Sequence, residues 1–178
     1  VNENIVYSGQ PLPCQQIGPV VLTHQPACIC GIDPGVSGGL AFLFPDCPDR
    51  VIAEDLPAVC GRIDGCNLAR RLRALAPGIA IVEAVGAMPK QGIASTFKFG
   101  AALGSIRGVL EALEIPMHLV TPSTWKKYFR VGRDKEGSRA LALRRFPACA
   151  EHFERKKDHN RAEAALLALY GYELRIGQ

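Results

Sequence analysis

The chain has 178 residues, 48% of them hydrophobic and 21% charged, with a formal charge of +4; this is the composition of one globular domain with a sizeable core. No apolar run reaches the ~18 residues that cross a bilayer, and the opening residues show no basic start followed by an apolar stretch, so neither a membrane span nor a secretory leader is expected. Seven cysteines, an odd count with no C-x-x-C pair, fit free thiols in a reducing, cytoplasmic compartment better than a disulfide framework or a zinc knuckle.

The charge is unevenly placed. Residues 126–161 hold twelve Lys/Arg against five Asp/Glu, whereas residues 1–125 come to −2. A basic third on a near-neutral chain suggests a polyanionic partner, of which nucleic acid is the commonest. The plain alternative is the solvated surface of two helices.

Residues 1–27 are broken by Gly9, Pro11, Pro13, Gly18, Pro19 and Pro26 and read as an N-terminal arm, partly ordered at best; residues 28–178 form the domain. Cys28 to Ile32 is apolar nearly throughout, as a strand covered on both faces is. Asp33 ends it, and Pro34-Gly35-Val36-Ser37-Gly38 turns the chain into a return strand through Leu43. Asp33 is either a solvated turn aspartate or an acid delivered at the carboxyl end of a core strand. Val51 to Leu56 makes a third strand, and Pro57 to Gly65 reads as a loop. Asp64 can cap a helix from Cys66 to Leu75. Ile79 to Val85 is a second core-like strand carrying Glu83 near its end. A carboxylate there either faces water at a sheet edge or needs a metal or a basic partner, because burying it alone is costly.

After a loop containing Lys90, residues 97–114 read as a long helix with Phe97 and Phe99 as core anchors or, alternatively, facing a ligand, and Gly100, Gly104 and Gly108 on a closely packing face. Met117 to Val120 is a short strand in which His118 reads as a structural histidine. Pro122 or Ser123 starts a helix carrying Trp125, Lys126 and Lys127. A further helix spans Lys135 to Phe146. Arg161 to Tyr170 is a strong helix former ending at Gly171, with Glu163 one turn in, Asp158 before it and Asn160 as a possible cap.

This order gives an α/β domain with a five-stranded mixed sheet flanked by helices. The Asp33 and Glu83 strands can lie parallel and adjacent, so that their carboxyl ends meet at one sheet edge, where sites form in such folds. The final helix would pack across that edge. Three or four carboxylates would then converge with no Lys or Arg obliged to pair with them. Oxygen ligands without a His/Cys set favour Mg²⁺ or Mn²⁺ over zinc. Two such ions can activate water and stabilise both the attacking and leaving oxygens of a phosphodiester.

Gly31-Ile32-Asp33-Pro34-Gly35-x-x-Gly38-Gly39, Ile81-Val82-Glu83, Gln91-Gly92-x-x-Ser95-x-Phe97-x-Phe99-Gly100, Thr121-Pro122-x-x-Trp125-Lys126 and Arg161-Ala162-Glu163-Ala164-Ala165-Leu166 together resemble the RuvC family of Holliday junction resolvases, above all its bacteriophage and prophage branch. The resemblance spans residues 28–172. It implies a ribonuclease H-like fold, a homodimer, two Mg²⁺ ions per site, and paired nicks across four-way DNA junctions leaving 5′-phosphate ends. By the same resemblance Asp33, Glu83 and Glu163 are metal ligands, and the fourth is Asp158. Bacterial members carry an acid where this chain has Asn160. They also carry a stacking aromatic where this chain has Gly86, with Met88 the nearest large apolar side chain, which implies relaxed sequence preference and a wider range of branched DNA. Lys90, Lys156 and Lys157 are expected at phosphates flanking the cut, and Lys126, Lys127, Arg130 and Arg133 on an outer positive surface. Two other readings stay open: a ribonuclease acting on RNA–DNA hybrids with the same metal site, and a junction-binding module without activity.

Overall fold

The computed structural model describes residues 28–84, 92–132 and 134–177. The arm, the loop with Gly86, Met88 and Lys90, and Arg133 lie outside the described residues.

The chain builds strands β1 (Ile29–Asp33), β2 (Gly39–Leu43) and β3 (Val51–Asp55), a small hairpin of β4 (Ala58–Val59) and β5 (Arg62–Ile63), then helix α1 (Gly65–Leu75) and strand β6 (Ile79–Glu83). Helix α2 (Ile93–Ala112), strand β7 (Met117–Val120), and helices α3 (Pro122–Tyr128), α4 (Lys135–Arg145) and α5 (His159–Glu173) follow. Two short 3-10 turns, Pro147–His152 and Lys156–Asp158, link α4 to α5.

The main sheet has the order β3-β2-β1-β6-β7. β1 pairs antiparallel with β2, and β2 with β3, whereas β1–β6 and β6–β7 are parallel. This is the expected five-stranded mixed sheet. Its apolar residues sort to two faces with the period of two that a pleat imposes. Cys30, Ile32, Leu40, Phe42, Ala80 and Val82 pack with Leu68 and Leu72 of α1 and Ala102, Ile106 and Leu110 of α2. Ile29, Ala41, Leu43, Ile79 and Ile81 pack on the other side with α5, Trp125, Phe146 and Phe153. Asp33 continues the alternation of Ile29 and Gly31, and Glu83 that of Ile79 and Ile81. Both acids therefore belong to the α5 face.

Helix α5 runs antiparallel to β1 across the sheet, and glycine is what lets it lie so close. A Cβ on Gly39 would stand 2.1 Å from the Asn160 carbonyl oxygen, and one on Gly31 only 2.0 Å from that of Ala164. Residues Ala162 to Gly171 of α5 are buried throughout, because α5 is held between the sheet and α4.

The helix starts follow capping chemistry. Asp64 accepts from Asn67 N–H, Thr121 from Thr124 N–H ahead of Pro122, and Asp134 from Gly137 N–H. Several expectations are corrected. The loop 57–65 contains the β4–β5 hairpin. α5 runs through Gly171 to Glu173 rather than ending at that glycine, and Asn160 lies inside its first turn. Phe97 is 76% exposed rather than a core anchor, because the buried stripe of α2 runs through Ala102, Ile106 and Leu110. His118 is exposed on the edge strand β7.

Candidate active site

Asp33 and Glu83 end neighbouring parallel strands whose register pairs Ile32 with Val82, one residue earlier on each. The two acids thus stand level at the carboxyl edge of the sheet, on one face. Asp33 is half-buried and paired through its backbone with Gly39. Because the first turn of α5 packs on Gly39, the amino end of α5 is brought to this same edge, and Glu163 with it. Asn160 Nδ2 donates to the Ser37 carbonyl in the turn after Asp33, pinning that turn to α5.

Glu83 is 6% exposed. Trp125 Nε1 donates to its Oε1 at 2.8 Å. Burial pushes the Glu83 carboxyl above its usual range; the indole hydrogen bond opposes this, the Glu163 charge adds to it, and Lys126 opposes it. Glu163 is also buried, and its Oε1 accepts from Lys126 Nζ at 2.7 Å and from the buried Ser138 hydroxyl at 3.1 Å. The Lys126 ammonium stands 5.0 Å from the centre of the Trp125 ring, a distance at which ring and cation attract.

Asp158 is buried in the 3-10 turn before α5. Its oxygens accept from the Arg155 backbone N–H at 2.9 Å and from the Arg155 guanidinium at 2.8 and 3.1 Å, with Arg161 3.9 Å away. Burial alone would raise its carboxyl, but the two arginines and the backbone N–H outweigh burial and hold it below the usual carboxylate range. Arg161 also binds Asp55 at the end of β3, at 2.6 Å.

The expectation that no lysine or arginine pairs with the acids is therefore corrected: Lys126 holds Glu163, and Arg155 holds Asp158. Among the described residues no three His, Cys, Asp or Glu side chains stand close enough to hold an ion. Glu83, Glu163 and Asp158 each turn to a protein donor instead. The donor type, carboxylate oxygens with no His or Cys among Asp33, Glu83, Asp158 and Glu163, is the type that hard divalent cations take.

Of the expected DNA-contacting residues, Lys126 lies within the site, while Lys127, Arg130, Lys156 and Lys157 are exposed. Lys126 and Lys127 belong to α3, and Lys156 and Lys157 to the turn preceding α5. Sequence reasoning did not find the roles of Trp125 and Ser138. The signal for Ser138 was a hydroxyl inside a helix, between Gly137 and Arg139; for Trp125 it was the chain's single tryptophan next to a lysine.

No protein-family model matches the sequence, and no curated protein does. The fold is similar to solved structures. A Thermus thermophilus RuvC in complex with a Holliday junction substrate matches with a TM-score of 0.63 at 18% identity, over 84% of this chain and 96% of that one. A second structure of Thermus thermophilus RuvC gives 0.60 at 18% identity, over 84% of this chain and 96% of that one. A Fowlpox virus resolvase in complex with its substrate Holliday junction DNA gives 0.51 at 14% identity, over 84% of this chain and 99% of that one. At these identities the likeness establishes architecture: the chain has the ribonuclease H-like fold of the RuvC-type resolvases.

Proposed function

We propose that this protein is a metal-dependent, structure-selective DNA endonuclease that resolves four-way junctions by paired symmetric cuts, leaving 5′-phosphate ends. The observation that carries the reading is the level placement of Asp33 and Glu83 on one sheet face, at the edge to which α5 brings Glu163. The fold likeness supports it, as does the basic third of the chain.

In this reading Asp33, Glu83 and Glu163 hold Mg²⁺, for which Mn²⁺ can substitute, and Asp158 completes the set where Arg155 yields its oxygens. Ions held there would supply an activated water and stabilise the charge developing on the phosphodiester. Lys126, released from Glu163, is within the site to meet a phosphate, and Lys127, Arg130, Lys156 and Lys157 hold the flanking backbone from the outside. Paired cuts require a two-fold arrangement, so the working form is a homodimer. Helix α2 is the proposed contact, because Ile93 and Phe97 are exposed and Gly100, Gly104 and Gly108 have open space beside them.

The test is nicking of a synthetic immobile four-way junction in Mg²⁺, beside duplex, flap and RNA–DNA hybrid, with D33N as control. Symmetric cuts on opposed strands that vanish in D33N are expected. Junction binding without cutting in Mg²⁺ or Mn²⁺ would leave a binding module, equal cutting of flaps would widen the substrate range to branched DNA at large, and preference for the hybrid would move the function to RNA removal.

A further inference from the structure

We infer that Trp125 is a positioning residue for the metal site: its indole N–H commits Oε1 of Glu83, so that Oε2 is the oxygen offered to a cation. The inference rests on the metal-dependent reading above and adds to it a residue outside the acids and lysines.

Three observations carry it. The contact is short and buried: Nε1 to Oε1 is 2.8 Å, with Trp125 fully enclosed and Glu83 6% exposed. Its geometry is set by the same strand pair that places the acid. Glu83 is the Cα partner of Val120 in the β6–β7 ladder, and Ala84 N–H donates to the Val120 carbonyl at 2.8 Å. Thr121 follows directly and caps α3, and Trp125 stands one turn into that helix. The distance from acid to indole is therefore fixed by a ladder bond, a cap and one helical turn.

The third observation is chemical. An indole N–H is a donor with one direction and no charge. It orients a carboxylate without competing with a cation for that carboxylate's charge, as the Lys126 ammonium does at Glu163. A core position alone would be filled by Phe or Leu, whose burial leaves no N–H to satisfy. Here the acceptor is a carboxylate at the candidate site rather than a backbone carbonyl. Partners of this kind, which hold a ligand rather than the metal, orient the ligating atom, and losing one weakens metal binding by roughly 10–100-fold.

The chain contains a single tryptophan, so Trp125 can be replaced residue-selectively in the full-length protein by benzothienylalanine, which keeps the shape and puts sulfur where the N–H stood. Mn²⁺ binding to the DNA-free protein is measured by calorimetry for wild type, the analogue protein, W125F, E83Q and the double variant E83Q/W125F. We expect Mn²⁺ affinity to fall about 10–100-fold in the analogue protein and in W125F, with the melting temperature of the analogue protein unchanged. We expect W125F to add no further loss to E83Q, since both act through one carboxylate. Wild-type Mn²⁺ affinity in the analogue protein would overturn the inference and leave the metal reading standing. Additive losses in the double variant would also overturn it, because Trp125 would then act by a route other than Glu83. Absence of Mn²⁺ binding by the wild type would overturn the inference together with the reading it rests on.

Discussion

Replacing Gly39 by alanine tests whether the approach of α5 to β2 sets the site. The added Cβ would stand 2.1 Å from the Asn160 carbonyl oxygen and 2.9 Å from Arg161 N, where ordinary contact begins near 3.4 Å. The obstacle is backbone, so no side chain can swing aside. The start of α5 must retreat by about 1.3 Å, against the Arg161–Asp55 pair and the Asn160–Ser37 bond that draw it inward. Overpacking of this kind costs roughly 1–3 kcal/mol, and the backbone collision puts G39A at the upper end, about 3 kcal/mol. For a domain of this size that is a fall in melting temperature of roughly 6–12 °C. Glu163 rides on the displaced turn, and a shift near 1 Å in catalytic geometry costs on the order of 100-fold in rate. Thermal unfolding and junction nicking at saturating Mg²⁺ read the two effects. G65A is the control, because the added methyl would meet Val109 at 3.4 Å, an ordinary contact, on α1 at the opposite face of the sheet from α5. A G39A protein that melts and cuts like wild type would refute the close-approach argument.

Three further outcomes follow from the buried charges and thiols. In metal-free protein D158N should lower stability at pH 7 by roughly 1.5–3 kcal/mol, the scale of hydrogen bonds to a charged group. Because the folded Asp158 carboxyl lies below its unfolded value near 3.9, this contribution is present above that pH and lost as the pH falls through the folded value; urea midpoints for the two proteins should converge in acid. E83Q should raise metal-free stability at pH 7 by up to about 1 kcal/mol, since glutamine still accepts from Trp125 and carries no buried charge. The raised Glu83 carboxyl gives the sign: wild type gains on E83Q as the pH falls through that carboxyl's range, and a gap independent of pH would refute it. Iodoacetamide at neutral pH should label exposed Cys47, Cys60 and Cys66 in the native protein and spare Cys28 and Cys30, because burial pushes the Cys28 thiol up to about 11 and raises that of Cys30 as well; mass spectrometry of the peptides decides it.

The strands were legible because their apolar runs are short and bounded by turn residues. The Asp33 and Glu83 runs read as adjacent parallel strands for that reason, and the sheet has them so. The far end of α5 was misread because Gly171 looks like a stop signal, whereas in the fold it is the residue that lets the helix pass Ile81 and Ile29; a Cβ there would meet Ile81 at 2.5 Å. A helix buried on every side shows no amphipathic stripe, so its faces could not be assigned from spacing. Phe97 was misplaced for the related reason that polar and apolar residues are mixed around α2, so no single stripe marks its buried face. The carboxylates were found from their isolation in apolar segments. Their protein donors were not, because the contacts of Trp125 with Glu83, Lys126 with Glu163 and Ser138 with Glu163 join segments far apart in the chain, and no local pattern encodes them.

The path of the chain also bears on when the site comes into being. β1 holds the first of the described acids, and α5, the last helix, must lie across β1 before Glu163 reaches the sheet edge. A chain emerging from a ribosome therefore displays Asp33 and Glu83 long before the third acid has been synthesised, and until then the α5 face of β1 is uncovered. A half-made copy holds an incomplete set of acids at that edge. Completion of the site is tied to completion of the fold, so whatever chemistry these acids perform waits on the arrival of α5.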